Sequence, residues 1–368
     1  MKKISSAIFL AALIVFINCK SNVATANTEN QDDSVTKFYQ SIVSLGNGFL
    51  DVFKSFGELV ADTLGLKADP KKSEVKNYFS TMASKLEATK KGIDGLKVKT
   101  PEGDSGKSIK SAVESAVALI EKLIAAAKEV EAAATGTASE AVGTVVKAAD
   151  DAGAGVADAD SVKGIAKGIK AIVDAVGGDA KLTAAAANGE DNKDAGKLFG
   201  KSDNGGDEKD ASKAAGAVSA VSGEQIIKAI VDAAGTDDQE QKGAKANEAK
   251  NPIAAAIGKA NEDAAAFGDN KMKKDDQIAA AIALRGMAKN GKFAVKNANE
   301  ADAKGAVKSA AESAVTKVLT TLASLVQKAV GEGLSKVSEA IKKAGDSDKG
   351  GTAAGTGAGA GAGAGAGK

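Results

Sequence analysis

The hexapeptide Gly103-Asp104-Ser105-Gly106-Lys107-Ser108 comes nearest to familiar catalytic chemistry. Its Gly-Lys-Ser end suggests backbone amides and a lysine cradling a phosphate, and its Gly-Asp-Ser-Gly start suggests a nucleophilic serine. Neither reading holds. A phosphate loop needs glycine five residues before Gly106, where Pro101 stands, and no strand precedes it. The serine would need an imidazole base, and the chain contains no histidine. That absence also removes imidazole acid–base work and histidine-held metals. The Asp/Asn/Gly loops lack the spacing and closing glutamate of a calcium loop. No catalytic residue, metal or cofactor is expected, and the chain reads as a non-enzyme. Formal net charge is +1, from 49 basic and 48 acidic residues, which is no footprint for nucleic acid. Lys163, Lys167 and Lys170 share one helical face, read as solvated, with a heparin-like polyanion as the alternative partner. Arg285 is the sole arginine. It sits in an apolar run, so it is expected to be a buried cation holding carbonyls or a carboxylate; an anion site is the alternative.

The sole cysteine, Cys19, has a different chemistry available. Met1-Lys2-Lys3 is a short basic start, and Ala7–Ile17 is an apolar stretch too short to span a bilayer, which takes about 20 residues. Phe16-Ile17-Asn18-Cys19 follows directly. The arrangement resembles a bacterial lipobox, although Phe16 and Asn18 depart from its commonest form. Cys19 would then receive a diacylglycerol thioether, with 1–18 cut away as a signal peptide. Residues 19–34 are polar and without periodicity, as in a flexible tether. The expectation is a chain held on a membrane by lipid rather than passing through it.

Apolar positions at steps of three and four predict the elements that follow. The first helix spans about 35–64, from Val35 to Leu64, and the second about 73–91, with Val75, Tyr78, Phe79, Met82 and Leu86 on one face. A third covers about 108–131. From 132 to 248 short helices alternate with loops dense in Gly, Asp, Asn and Lys; those at 188–193 and 202–210 have almost nothing to bury, and 132–160, 187–210 and 235–250 read as weakly constrained. Within this stretch Val162, Ile165, Ile169, Ile172 and Val173 mark one helix, and Ser222-Gly223-Glu224-Gln225 a capping box opening another. Asn251-Pro252 makes an N-cap and first-turn pair. Residues 275–289 form a helix apolar almost all round, which calls for burial. The last helix runs about 305–343, with Gly331 and Gly333 as candidate breaks, and 346–368 is a low-complexity Gly/Ala tail. The strongest stripes lie at the two ends. The fold class is therefore all-α: an elongated helical bundle with long N- and C-terminal helices packed together and Gly-rich loops at the far end, the helical body covering 35–345.

Two internal similarities stand out. Lys110–Val117 (KSAVESAV) and Lys308–Val315 (KSAAESAV) differ at a single position. Ile169–Gly177 (IKAIVDAVG) and Ile227–Gly235 (IKAIVDAAG) also differ at a single position, and are read as two helices of like role or an old duplication. This second pair lacks the fixed period of a solenoid. The first pair brackets nearly 200 residues, including the Gly-rich loops, and is read either as chance likeness of Ala-rich helices or as the trace of direct repeats bounding an exchangeable cassette.

KFYQSIVSLGNGFLDVFKSFGELV (Lys37–Val60), KNPIAAAIG (Lys250–Gly258) and MKKDDQIAAAIALRGMAKNGKFAV (Met272–Val295) closely resemble borrelial variable surface lipoproteins of the VlsE type, related to the variable large proteins. The resemblance implies an elongated, all-helical outer-membrane antigen on the extracellular face, lipid-anchored and plasmid-encoded. In that family silent cassettes overwrite an expressed one, so exposed loops change and host antibody is evaded. Here the cassette would correspond to about 111–307, with 132–160, 187–210 and 235–250 as the loops expected to vary. An invariable antigenic segment would include Met272, Lys273, Lys274, Asp275, Asp276, Gln277, Ile278, Arg285, Gly286, Met287 and Phe293. The implied partners are a membrane, through the lipid, and host antibodies, with host glycosaminoglycan or matrix as the alternative; the chain would be a monomer or weak dimer. The Gly/Ala tail departs from the family pattern.

Overall fold

The computed structural model describes residues 69–97, 104–135, 140–148, 155–182, 189, 191–201, 205–268, 271–296 and 301–350. The expected signal peptide (1–18), Cys19, the tether (19–34), the first helix (35–64) and residues 351–368 lie outside the described residues. Described helices are α1 (Lys72–Lys97), α2 (Asp104–Ala133), α3 (Ala159–Val176), α4 (Glu208–Ala220), α5 (Gly223–Ala234), α6 (Pro252–Ile257), α7 (Asp275–Met287) and α8 (Ala301–Gly350). Two 3-10 turns, Gly178–Lys181 and Lys193–Phe199, and two short strands, β1 (Val145–Lys147) and β2 (Phe293–Val295), complete the order. The chain is mainly helical. Among the described residues no single helix is long and apolar enough to cross a membrane.

The chain divides into two compact units. One comprises Met1–Val43, Ile93–Val117 and Gly331–Lys368. Its described helical parts bury Ile93, Ile109, Val113, Val117, Val337 and Ile341, spaced as stripes of three and four should be.

The other unit comprises Ser44–Gly92 and Ala118–Val330. The expected stripe of α1, Val75, Tyr78, Phe79, Met82 and Leu86, is buried, and the Tyr78 hydroxyl donates to the Leu319 carbonyl of α8 at 3.0 Å. Caps fix where the shorter helices begin. Asp158 accepts from the Ser161 amide to open α3. Asp207 and Asp210 close a reciprocal box at α4, and Ser222 and Gln225 close the expected one at α5. Asn251 accepts from the Ala254 amide, with Pro252 in the first turn of α6. The near-repeat IKAIVDA has one physical role in two places. Ile169, Ile172 and Val173 of α3 and Ile227, Ile230 and Val231 of α5 are buried, the two helices pack together, and each carries an exposed i,i+4 pair, Lys170–Asp174 and Lys228–Asp232. Gly168 lets α3 approach α2, because a Cβ there would lie 2.4 Å from Val130.

Helix α7 is the centre of this unit. Helices α3, α4, α5 and α6 and the Lys193–Phe199 turn all pack against it, and every residue from Ile278 to Met287 is buried. Burial on all sides is what its all-round apolar sequence demands.

Three expectations need correction. The stretches 132–160, 187–210 and 235–250, expected as weakly constrained loops, are anchored in the core at several of their described residues. In the first, Val142 and Ala148 are buried and β1 pairs in parallel with β2, Val145 opposite Phe293 and Lys147 opposite Val295. In the second, Ala195, Leu198 and Phe199 are buried. In the third, Gln241, Ala246 and Ala249 are buried. Alternation of Gly and Asp with single apolar residues hides such anchoring, since no helical or strand period survives in it. The break expected at Gly331 and Gly333 does not occur, because α8 continues through them to Gly350. It thereby enters the stretch read as tail.

Candidate functional site

The segment Met272–Val295 threads the centre of the larger unit. Met272 is buried, Lys273 and Lys274 are half-buried, and Asp275 is buried in the first turn of α7. Asp275 holds that turn in place: its amide donates to the Gly189 carbonyl at 3.1 Å, and its carboxylate accepts from Asn192 Nδ2 at 2.8 Å. A carboxylate there also complements the positive helix end. Asp276 and Gln277 are half-buried, and Asp276 accepts from the Gln277 amide at 2.8 Å. Ile278, Met287 and Phe293 are buried. Gly286 sits where a Cβ would come within 3.2 Å of the Val142 carbonyl and 3.3 Å of Val315. Only Lys289 and Asn290, in the turn after α7, are exposed among residues 272–295.

Arg285 is fully buried. Its Nε donates to Ala256 O at 2.9 Å. Nη1 donates to Phe199 O at 3.4 Å and Lys292 O at 3.3 Å, and Nη2 to Gly155 O at 3.0 Å and Ala255 O at 2.9 Å. A guanidinium has five N–H groups, so each has an acceptor. All five acceptors are main-chain carbonyls, from the segment before α3, the end of the Lys193–Phe199 turn, the end of α6 and the lead into β2. The guanidinium carbon lies 4.3 Å from the Phe199 ring centroid, and Phe199 meets Phe293 edge-on, with centroids 5.5 Å apart. Burial pulls the guanidinium down from its ordinary value, but the five-acceptor shell fits only the protonated fork. With every donor committed to carbonyls, no N–H remains for an anion, and the arrangement is that of a clamp.

A second buried cation escaped the sequence reading. Lys72, in the first turn of α1, is fully buried and donates to Glu140 at 2.5 Å and Gly291 O at 2.6 Å. Burial pulls its amine down to about 8; Glu140 opposes that shift, and the Arg285 charge adds to it. Nothing in Asp-Pro-Lys-Lys-Ser distinguishes Lys72 from Lys71 except its phase on the α1 stripe, three before Val75. Ser161 went unnoticed too. Its hydroxyl donates to Ala133 O at 2.7 Å and accepts from the Lys289 amide at 3.0 Å, tying α2 and the turn after α7 to α3. Lys317 of α8 donates to Val218 O and Val221 O at 2.7 and 2.6 Å, a cation at the carbonyl end of α4 where the helix dipole favours one. On the Lys163/Lys167/Lys170 face, Lys170 is engaged by Asp174 at 2.6 Å, so three uncompensated ammonium groups do not stand together.

These features define a mainly helical protein whose buried cations hold main-chain carbonyls, with no catalytic constellation among the described residues. The chain belongs to the Borrelia lipoprotein family, whose model matches residues 49–341. It is similar to variable large protein 4 of Borrelia hermsii, 35% identical over 96% of this chain and 97% of that protein. It is also similar to variable large protein 17 of the same organism, 37% identical over 88% and 87% of the two chains. The crystal structure of the Lyme disease variable surface antigen VlsE of Borrelia burgdorferi matches with a TM-score of 0.71 and 57% identity, covering 83% of this chain and 99% of that one. The family is one of surface-antigen lipoproteins and not of enzymes.

Proposed function

We propose that this chain is a lipid-anchored antigen on the extracellular face of the outer membrane, carried by acyl groups on Cys19, whose outward positions vary while its interior stays fixed, so that host antibody is evaded. The carrying observation is that all five hydrogen bonds of Arg285 go to main-chain carbonyls, with the Phe199 ring as its one cation–π contact. The hydrogen bonds of such a clamp follow the path of the backbone, and of the acceptor residues only Phe199 also contributes its ring. Cassette exchange across about 111–307 can then replace exposed side chains without disturbing the centre, since surface changes usually cost within about ±0.5 kcal/mol. The names of the relatives, variable large proteins and a variable surface antigen, support the same reading. The exposed positions Asp237, Asp238, Gln239, Lys259, Ala260 and Asn261 are the places to expect change. Met272, Lys273, Lys274, Asp275, Asp276, Gln277, Ile278, Arg285, Gly286, Met287 and Phe293 form the invariable segment.

The test is to sequence the expressed gene from a clonal population before and after passage through an antibody-competent host. Substitutions should gather at exposed positions of 111–307 and spare Ile278–Met287. An unchanged gene, or changes spread evenly over buried and exposed positions, would overturn the reading. Anchoring has its own readout: palmitate should label the wild-type chain and not Cys19→Ser, and a labelled Cys19→Ser chain would remove Cys19 as the anchor.

A further inference from the structure

The turn joining α7 to β2 contains Asn290-Gly291. Asn290 is exposed, with φ of 58°, in the left-handed region that asparagine tolerates better than most residues. Gly291 is not exchangeable, since a Cβ there would lie 2.0 Å from the Arg285 carbonyl. The fold thus requires glycine after an exposed asparagine. That is the dipeptide in which an unhindered main-chain nitrogen most readily reaches the preceding side-chain amide.

We propose that Asn290 is a site of spontaneous succinimide formation whose rate is gated by the hydrogen bonds of this turn. Hydroxide removes the Gly291 amide proton, giving water; the nitrogen attacks Asn290 Cγ, and as the Cγ–Nδ2 bond breaks water returns a proton to the departing nitrogen, which leaves as ammonia and regenerates hydroxide. Water then opens the ring. Cleavage at Cγ–N leaves aspartate on an unaltered backbone; cleavage of the former peptide bond routes the chain through Cγ as isoaspartate.

The structure opposes the first step while the turn is closed. The Gly291 amide donates to Ala288 O at 3.2 Å, so the nucleophile is occupied. Lys72 holds the Gly291 carbonyl at 2.6 Å. On one side the Lys289 amide is bound by Ser161 at 3.0 Å and the Lys289 carbonyl by the Asp158 amide at 3.0 Å. On the other the Phe293 amide donates to Thr144 O at 2.9 Å. Asn290 must leave its left-handed conformation for the nitrogen to approach Cγ, and these anchors resist that movement. Conversion at Asn290 therefore records local opening, a sub-global event with its own free energy. Asn261 is an internal control: it is exposed with the same φ of 58°, but Glu262 follows it.

The experiment incubates the full-length chain at mildly alkaline pH, folded and in urea, and follows aspartate and isoaspartate by peptide mass mapping with an isoaspartyl assay. Asn290 should convert in both states, at least ~10-fold more slowly when folded, with Asn261 unmodified. Lys72→Met, which releases the Gly291 carbonyl, should raise the folded-state rate several-fold. If circular dichroism shows that variant unfolded, Glu140→Gln loosens the same lysine and should also accelerate conversion. No conversion of Asn290 in urea, equal rates in the two states, conversion of Asn261 as fast as Asn290, or a folded variant with an unchanged rate would each overturn the proposal.

Discussion

Arg285→Lys isolates what the guanidinium shape contributes, because it keeps the charge and removes the fork. Arginine places five N–H groups on five carbonyls, whereas an ammonium carries three donors on one atom. At least two of the five acceptors lose their partner. Each buried polar group left unsatisfied costs about 1–3 kcal/mol, giving roughly 2–6 kcal/mol before relaxation. Part of the lost stacking on Phe199 adds to this, worth about 0.5–2 kcal/mol for a desolvated cation. Local shifts and entering water offset some of the sum, so a net loss of about 2–4 kcal/mol is expected, against a total stability typically about 5–15 kcal/mol for a folded domain. Arg285→Met loses all five bonds but is also relieved of burying a charge, a penalty of several kcal/mol; its net loss should be about 3–5 kcal/mol. Urea unfolding followed by circular dichroism measures both, with a shifted midpoint at unchanged slope as the sign of a pure stability change. A lysine variant within about 0.5 kcal/mol of wild type would refute the clamp, since surface-like tolerance cannot belong to a group holding four separate chain segments.

Lys72 supplies a pH dependence. Its amine is pulled down from 10.5 to about 8 in the folded chain. Below about 8 both states hold the proton; between there and 10.5 the unfolded state holds more, so this residue's contribution makes stability rise with pH across that window. Urea midpoints measured through it should show the rise in wild type and lose that component in Lys72→Met. Gly258 has φ of 74°, and a Cβ there would lie 2.0 Å from the Gly155 carbonyl, so Gly258→Ala should cost more than about 1 kcal/mol. Gly305, on an exposed face of α8 with open space around it, should behave oppositely, Gly305→Ala gaining roughly 0.5–1 kcal/mol. Asn251→Ala removes the cap of α6 and the bond from Asn251 to Glu240 O and should cost about 1–2 kcal/mol in the same assay.

What the sequence shows follows the range of the interaction. Stripes and caps act within a few residues, so the faces of α1 and α3, the box at Ser222 and the Asn251-Pro252 start are all visible in it. Burial of α7 could be read because a helix with no polar face has nothing to turn toward water. Arg285 as a buried cation followed from its being a lone arginine in that helix, but its five acceptors lie as far off in the chain as Gly155, and carbonyls are the same in every residue. The same blindness hid Lys72 and Ser161. The β1–β2 ladder joins residues about 148 apart in sequence, and three-residue strands have no period to detect. The buried anchors at Leu198, Phe199 and Gln241 carry no sequence signal, because each is a single apolar or amide residue among polar residues and glycines.

The preference for main-chain acceptors extends well beyond Arg285. Tyr78 bonds Leu319 O, Lys72 bonds Gly291 O, Ser161 bonds Ala133 O, Lys317 bonds Val218 O and Val221 O, and Gln241 bonds Thr236 O. A side chain that bonds another side chain couples two positions, and replacing either leaves a buried group unpaired at about 1–3 kcal/mol. A side chain that bonds a carbonyl couples one position to a backbone path. That bond places no demand of its own on the partner's side chain as long as the partner's φ and ψ are kept. This predicts near-additivity where side-chain networks predict coupling. In a double-mutant cycle, Arg285→Lys and Ala256→Ser, whose carbonyl is an acceptor, should sum within about 0.5 kcal/mol, whereas Asp275→Asn and Asn192→Ala, joined side chain to side chain, should show a coupling of about 0.5–3 kcal/mol. Strong coupling in the first cycle would mean that residue identity around the centre is constrained after all, and exchange of whole segments would then demand compensating changes at Arg285 that a fixed centre does not permit.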